Sequence, residues 1–91
     1  MSRQKSQMKR EGWLMQHKTK NTKRFHRDEK CWSKNPYVFI DSGKPMPNEP
    51  ALLKRRDYLH ISDATKEWKR LRCEGWTPVK AQWGIEAEAS L

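Results

Sequence analysis

The chain has 91 residues, 34% hydrophobic and 34% charged, and its 20 Lys and Arg against 11 Asp and Glu give a formal net charge of +9. That length holds one domain with a small core, and no apolar run approaches the roughly 20 residues needed to cross a bilayer, so membrane insertion is excluded. The charge is uneven, with ten basic against three acidic residues up to Lys30 and ten against eight beyond it, a field that attracts polyanions.

Residues 1–11 carry four basic side chains and no aromatic ring, and read as a flexible basic arm. Five Trp, two Tyr and two Phe all fall within residues 12–83. Each buried ring brings roughly 150–250 Å² of surface, so this stretch is expected to fold as one domain. A first strand, Trp13 to Lys18, places Trp13, Met15 and His17 on one face, and a second, Lys23 to Asp28, carries Phe25. The Thr19-Lys20-Asn21-Thr22 connection makes a hairpin, with Asn21 best suited to a left-handed conformation.

Tyr37 to Asp41 forms a third strand whose two faces are both apolar, Val38 and Ile40 alternating with Tyr37 and Phe39, which places it centrally or under a second cover. Ser42-Gly43 predicts a turn. Lys44 to Pro50, with three prolines, predicts an irregular, partly polyproline-like connection. Ala51 to His60, built around Lys54-Arg55-Arg56, reads equally as a short helical turn or an irregular packed loop.

The helix is expected from about Asp63 to Glu74, capped by Ser62 or Asp63. Ala64, Trp68 and Leu71 give it a narrow apolar stripe. Gly75 stops it in a left-handed conformation, bringing Trp76 onto Leu71 in a Schellman ending. Val79, Ala81 and Trp83 then alternate as a last strand, an edge strand because of Pro78, and residues 84–91 form a short acidic tail. The order predicts an α+β fold: a small antiparallel sheet of three to four strands with one helix, in the C-terminal half, packed across a face.

Gly12-Trp13-Leu14, Asn35-Pro36-Tyr37-Val38, the spacing of Ala64, Trp68 and Leu71, and the ending Gly75-Trp76 with Gln82-Trp83 together resemble a family of short Trp-containing proteins of unknown function from marine picocyanobacteria. The resemblance spans Gly12 to Trp83 and implies a cyanobacterial, cytosolic origin. It carries no ligand or catalytic residue over to this chain.

Candidate chemistry is sparse. Cys31, Cys73, His17, His26 and His60 all stand singly, without the close pairs that structural zinc sites use, so no metal or other cofactor is expected. Neither cysteine sits in a nucleophile motif, the acids are interleaved with Lys and Arg, and the four glycines form no phosphate-binding loop, so no enzyme is expected. With no apolar leader in Met1 to Arg10, reduced thiols and a cytoplasmic location are expected.

Trp13, Trp68, Trp76 and Trp83 read as packing residues. Trp32, between Cys31 and Ser33 in a polar connection, reads either as an exposed aromatic contact for a base or partner pocket, or as a loop residue covering the sheet. The basic residues carry the strongest signal. Lys9 and Arg10 in the arm, Lys18, Lys20, Lys23, Arg24 and Arg27 on the hairpin, and Lys66, Lys69 and Arg70 on the helix are candidate contacts to an anion or nucleic acid. Lys66 and Arg70, like charges one turn apart, repel each other, and a bound anion would compensate. The leading expectation is a non-catalytic protein that binds DNA or RNA mainly through phosphates. The alternative is an adaptor that docks on an acidic protein or complex.

Overall fold

The computed structural model describes residues 11–30 and 36–84. Five strands, β1 (Gly12–Met15), β2 (Thr22–Arg27), β3 (Tyr37–Met46), β4 (Glu49–His60) and β5 (Thr77–Pro78), and one helix, α1 (Ile61–Cys73), make up the fold. The strands form one sheet in the order β4-β3-β2-β1-β5 with every pairing antiparallel, and α1 covers one face. This is the α+β architecture that the sequence predicts, with five strands in place of three to four.

Alternation along the strands decides which residues meet α1. Cross-strand pairing puts Leu14, Phe25, Val38 and Ile40 on the helix-facing side, where they join Ala64, Trp68 and Leu71 of α1 and Trp76 beyond it in one core cluster, with Leu59 and Ile61 packed at its margin. Burying each such large apolar side chain is worth about 1.5–3 kcal/mol. Phe25 and Trp68 meet edge to face at 5.1 Å. A Cβ on Gly12 would lie 2.8 Å from the Trp68 ring, so the indole reaches β1 because that position has no side chain.

The helix ends as its sequence predicts. Gly75 takes φ +98°, the Trp76 N–H donates to the Leu71 carbonyl at 3.0 Å and the Gly75 N–H to that of Arg72 at 3.1 Å, the two bonds of a Schellman motif. Its start differs. β4 runs directly into α1, so the cap falls to His60, whose Nδ1 accepts from the Ser62 N–H, and not to Ser62 or Asp63.

The largest correction concerns residues 42–60, where a turn, a proline-rich connection and an ambiguous stretch give way to the long β3-β4 hairpin. Each expected breaker sits where a sheet tolerates it. Pro47 and Asn48 form the hairpin turn, with Asn48 at φ 60°. Pro45 stands at an irregularity in pairing, opposite Pro50 and Ala51, and Pro50 is on an edge strand. Prolines survive in sheets at such edges and bulges. Gly43 is paired within β3, and a Cβ there would lie 2.8 Å from the Leu52 carbonyl oxygen, so β4 presses close against it.

Two smaller corrections concern β1 and β5. The turn between β1 and β2 puts Lys20, not Asn21, in the left-handed region at φ 66°, with the Lys20 N–H donating to the Gln16 carbonyl at 2.7 Å. The last strand is Thr77–Pro78, at the sheet edge beside β1. After Val79 donates to the Trp13 carbonyl, the chain leaves the ladder, and Trp83 packs edge-on against Trp13 at 4.8 Å.

Candidate nucleic-acid interface

Opposite α1, the sheet carries a layer of its own. Phe39 pairs across the ladder with Tyr58 and with His26, and Tyr37 with His60. Tyr58 stacks on Tyr37 at 4.8 Å and packs on Phe39 at 4.7 Å, while Phe39 also meets the His26 ring at 5.4 Å and the Arg56 guanidinium at 4.6 Å. The Tyr58 hydroxyl donates to Asp28, and Arg24 lies over Trp13 at 5.3 Å. The rings of this layer pack on one another and on the Arg56 guanidinium, and Tyr58 remains 44% exposed. Tyr37 and Phe39, the second apolar face of β3, belong to this layer, and β3 is an interior strand, the first of the two expected arrangements.

Asp41 organises the charges of this layer. Its carboxylate accepts from Arg56 Nε at 2.6 Å and Nη2 at 3.0 Å, and from His26 Nε2 at 2.8 Å. Burial pushes the Asp41 carboxyl up, and the Arg56 and His26 hydrogen bonds and charges outweigh that, so it is held below its usual range.

One residue along β3, on the helix side, the balance differs. Ser42 pairs with Lys23, and the Lys23 ammonium donates to Ser42 Oγ at 2.8 Å, a neutral acceptor. Burial pushes Lys23 below its usual value, opposed through space by Glu67 and Asp57 and reinforced by Arg55 and Arg70. Beside it opens a cleft of about 230 Å³, lined by Asn21, Thr22, Lys23, Ser42, Gly43, Lys54 and Trp76. No carboxylate is among these residues. Lys54 is there because of a bulge: Ser42 pairs with Arg55 and Gly43 with Leu53, leaving Lys54 as the extra residue of β4. Bulges re-aim side chains in this way.

The expected basic residues are divided among several places. Lys18 and Lys20 lie exposed in the β1-β2 turn. Alternation along β2 sends Lys23 and Arg27 to the helix side with Phe25 and Arg24 to the opposite side, so the three do not share one edge, and β2 is an interior strand. Arg27 stands 3.8 Å from Glu29. On α1, Lys66 and Lys69 are exposed, but Arg70 is held by Glu67 and Glu74 at 2.6 Å each. The Lys66/Arg70 repulsion thus finds its compensation in the protein's own carboxylates, not in a required anion. Lys9, Arg10 and Trp32 lie outside the described residues. Lys54 is the residue that sequence reasoning leaves out of the site, since nothing in Leu53-Lys54-Arg55 announces a bulge. Among the described residues no three His, Cys, Asp or Glu side chains come together as a metal site, and no helix is long and apolar enough to cross a membrane.

The profile of a family described as protein of unknown function, DUF1651, matches residues 11–83. No curated protein and no solved structure matches the chain.

Proposed function

The chain belongs to the DUF1651 family, whose function is unknown, and from the arrangement of its charges we propose that it is a non-catalytic protein that binds nucleic acid through phosphate contacts at the β1-β2 end of the sheet. Lys18 and Lys20 in the turn and Lys23 and Lys54 at the adjoining cleft are the contacts. The observation that carries this reading is Lys23, a half-buried cation whose hydrogen-bond partner is a neutral serine, facing a cleft that a second lysine lines and no carboxylate does. A desolvated cation without a contacting counter-charge is costly, and a phosphate oxygen supplies what Ser42 does not.

Because Tyr37, Phe39 and Tyr58 lie on the face of the sheet opposite Lys23 and Ser42, recognition rests on the phosphate backbone and is tolerant of sequence. A cytoplasmic setting and a cyanobacterial source, with Trp content shared across the family, belong to the same reading.

Fluorescence anisotropy with a labelled 12-nucleotide strand and its duplex tests it. Four phosphate contacts give a slope of log K on log salt of about −2.8 for the single strand and about −3.6 for the duplex, or roughly a 50- to 150-fold loss of affinity between 50 and 200 mM salt. Absence of binding at 50 mM salt would remove the proposal.

A second reading, an adaptor for an acidic protein, has its own observation. The exposed large hydrophobic residues among those described, Leu52, Leu53 and Tyr58, all lie on edge strand β4, beside Lys54-Arg55-Arg56. A pulldown under nuclease treatment separates the two: loss of all partners supports nucleic acid, and retention of one stoichiometric acidic protein supports the adaptor.

A further inference from the structure

We propose that the cleft lined by Lys23 and Lys54, which takes a backbone phosphate in the reading above, prefers about tenfold a phosphate group bearing two negative charges, a terminal phosphomonoester, over the singly charged diester. The inference deepens the reading above and rests on it for the kind of molecule that carries the phosphate.

The charge count comes first. Lys23 and Lys54 both line one cleft of about 230 Å³, and among the described residues neither makes an ion pair. A phosphodiester would neutralise one of them, whereas a monoester, carrying about −1.5 to −2 at neutral pH, answers both. Exposed Lys18 and Lys20 in the turn suit the passing diester charges better, since they remain solvated.

The hydrogen-bond inventory agrees. Lys23 donates one of its three N–H groups to Ser42 Oγ, leaving two directed elsewhere, and the serine uses its oxygen as acceptor, so its own O–H is left to donate. Asn21 lines the same cleft. A monoester presents three acceptor oxygens, and Lys23, Lys54 and Ser42 supply donors of matching number.

The backbone construction is the third observation. An uninterrupted β3-β4 ladder would carry no extra residue at position 54, and the bulge there sets Lys54 over the cleft. Gly43 is required by the same arrangement, because a side chain there would collide with the Leu52 carbonyl. Bulges of this kind weaken pairing locally and aim a side chain, and the side chain aimed is the second cation. Trp76, 7% exposed, forms an apolar wall, and the space exceeds that of a phosphate alone, leaving room for the sugar it is attached to.

The test is a backbone amide NMR titration of the full chain with inorganic phosphate, with a six-nucleotide strand bearing a 5′-phosphate, and with the same strand ending in a 5′-hydroxyl. Inorganic phosphate is expected to shift the amides of residues 21–23, 42, 43 and 54 and the Trp76 indole, and to leave those of Lys66 and Lys69 in place. The 5′-phosphorylated strand should bind about tenfold more tightly than its hydroxyl counterpart, the gain expected of one added charge-assisted contact. Lys23→Gln and the exposed Lys54→Gln should each erase that difference with the amide spectrum otherwise retained, and Lys66→Gln should preserve it.

Equal affinity for the two strands overturns the monoester seat while leaving backbone binding intact. Shifts that spread over Lys66 and Lys69 to the same extent overturn the cleft as a site. If inorganic phosphate shifts only the cleft and neither strand binds, the seat stands for a small phosphorylated compound, and it is the nucleic-acid proposal that fails.

Discussion

Asp41 and Ser42 are neighbours on β3, and their side chains point to opposite faces of the sheet. On Asp41's side, a carboxylate holds Arg56 and His26. Arg24 and the aromatic rings there are packed against partners of their own. On Ser42's side, a half-buried lysine has only a hydroxyl, and a bulge brings another lysine to the same cleft. Cations in the first region are matched within the protein and serve its stability. Those in the second are mismatched, and a mismatch that burial makes costly is where a ligand gains most.

Making the second region resemble the first should have the largest effect. Ser42→Asp places a carboxylate against Lys23, and we expect it to weaken oligonucleotide binding tenfold to a hundredfold, about 1.5–3 kcal/mol. The melting temperature should be unchanged or higher, since Lys23 gains a counter-charge. Anisotropy and thermal unfolding on the same sample check both halves; undiminished binding would show that the cleft is not the anchor.

The converse change, Asp41→Asn, removes from the first region the carboxylate that holds Arg56 and His26. Arg56 is more than half exposed, so the loss is smaller than for a fully buried pair, about 1–2 kcal/mol by urea denaturation, with binding retained.

The same carboxylate sets an acid limb. Its folded pKa lies below its ordinary 3.8, so the stabilisation is complete above that value and is lost as pH falls through the folded pKa. Stability measured between pH 6 and pH 2 should decline more gently in Asp41→Asn than in the parent.

The smallest effect expected is that of Lys20→Asn. Asn tolerates the left-handed conformation better than Lys, which should raise stability by about 0.5 kcal/mol or less, while loss of one phosphate contact lowers the salt slope by about 0.7–0.9. A slope unaltered by this change would take the turn out of the interface.

Much of the scaffold was legible because local rules and tertiary packing agree there. The spacing of Ala64, Trp68 and Leu71 fixes the buried stripe of α1, and Gly75 with Trp76 fixes its end. The two apolar faces of Tyr37–Ile40 announce an interior strand. Residues 42–60 were illegible for the opposite reason. Gly43, Pro45, Pro47 and Pro50 break strands in most settings, and only the partner strand reveals that each occupies a permissive position. The site divides along the same line. Period-two alternation already places Lys23 on the face of Phe25, which is a signal of burial, whereas the location of Lys54 depends on a bulge that leaves no mark in the sequence. The dispersal of the hairpin cations over both faces follows from the same alternation, and the neutralisation of Arg70 by Glu67 and Glu74 follows from helical spacing.

β4 borders the sheet for twelve residues, and with Leu52 and Leu53 about half exposed or more it offers a second molecule a template for strand addition. Lys54 guards it with a charge that no carboxylate among the described residues offsets, Arg55 and Arg56 being tied to Asp57 and Asp41, and the bulge spoils the register. That guard is electrostatic and therefore ionic-strength dependent. Concentrated brine, which should strip the protein from nucleic acid, should also lower its colloidal resistance to clumping.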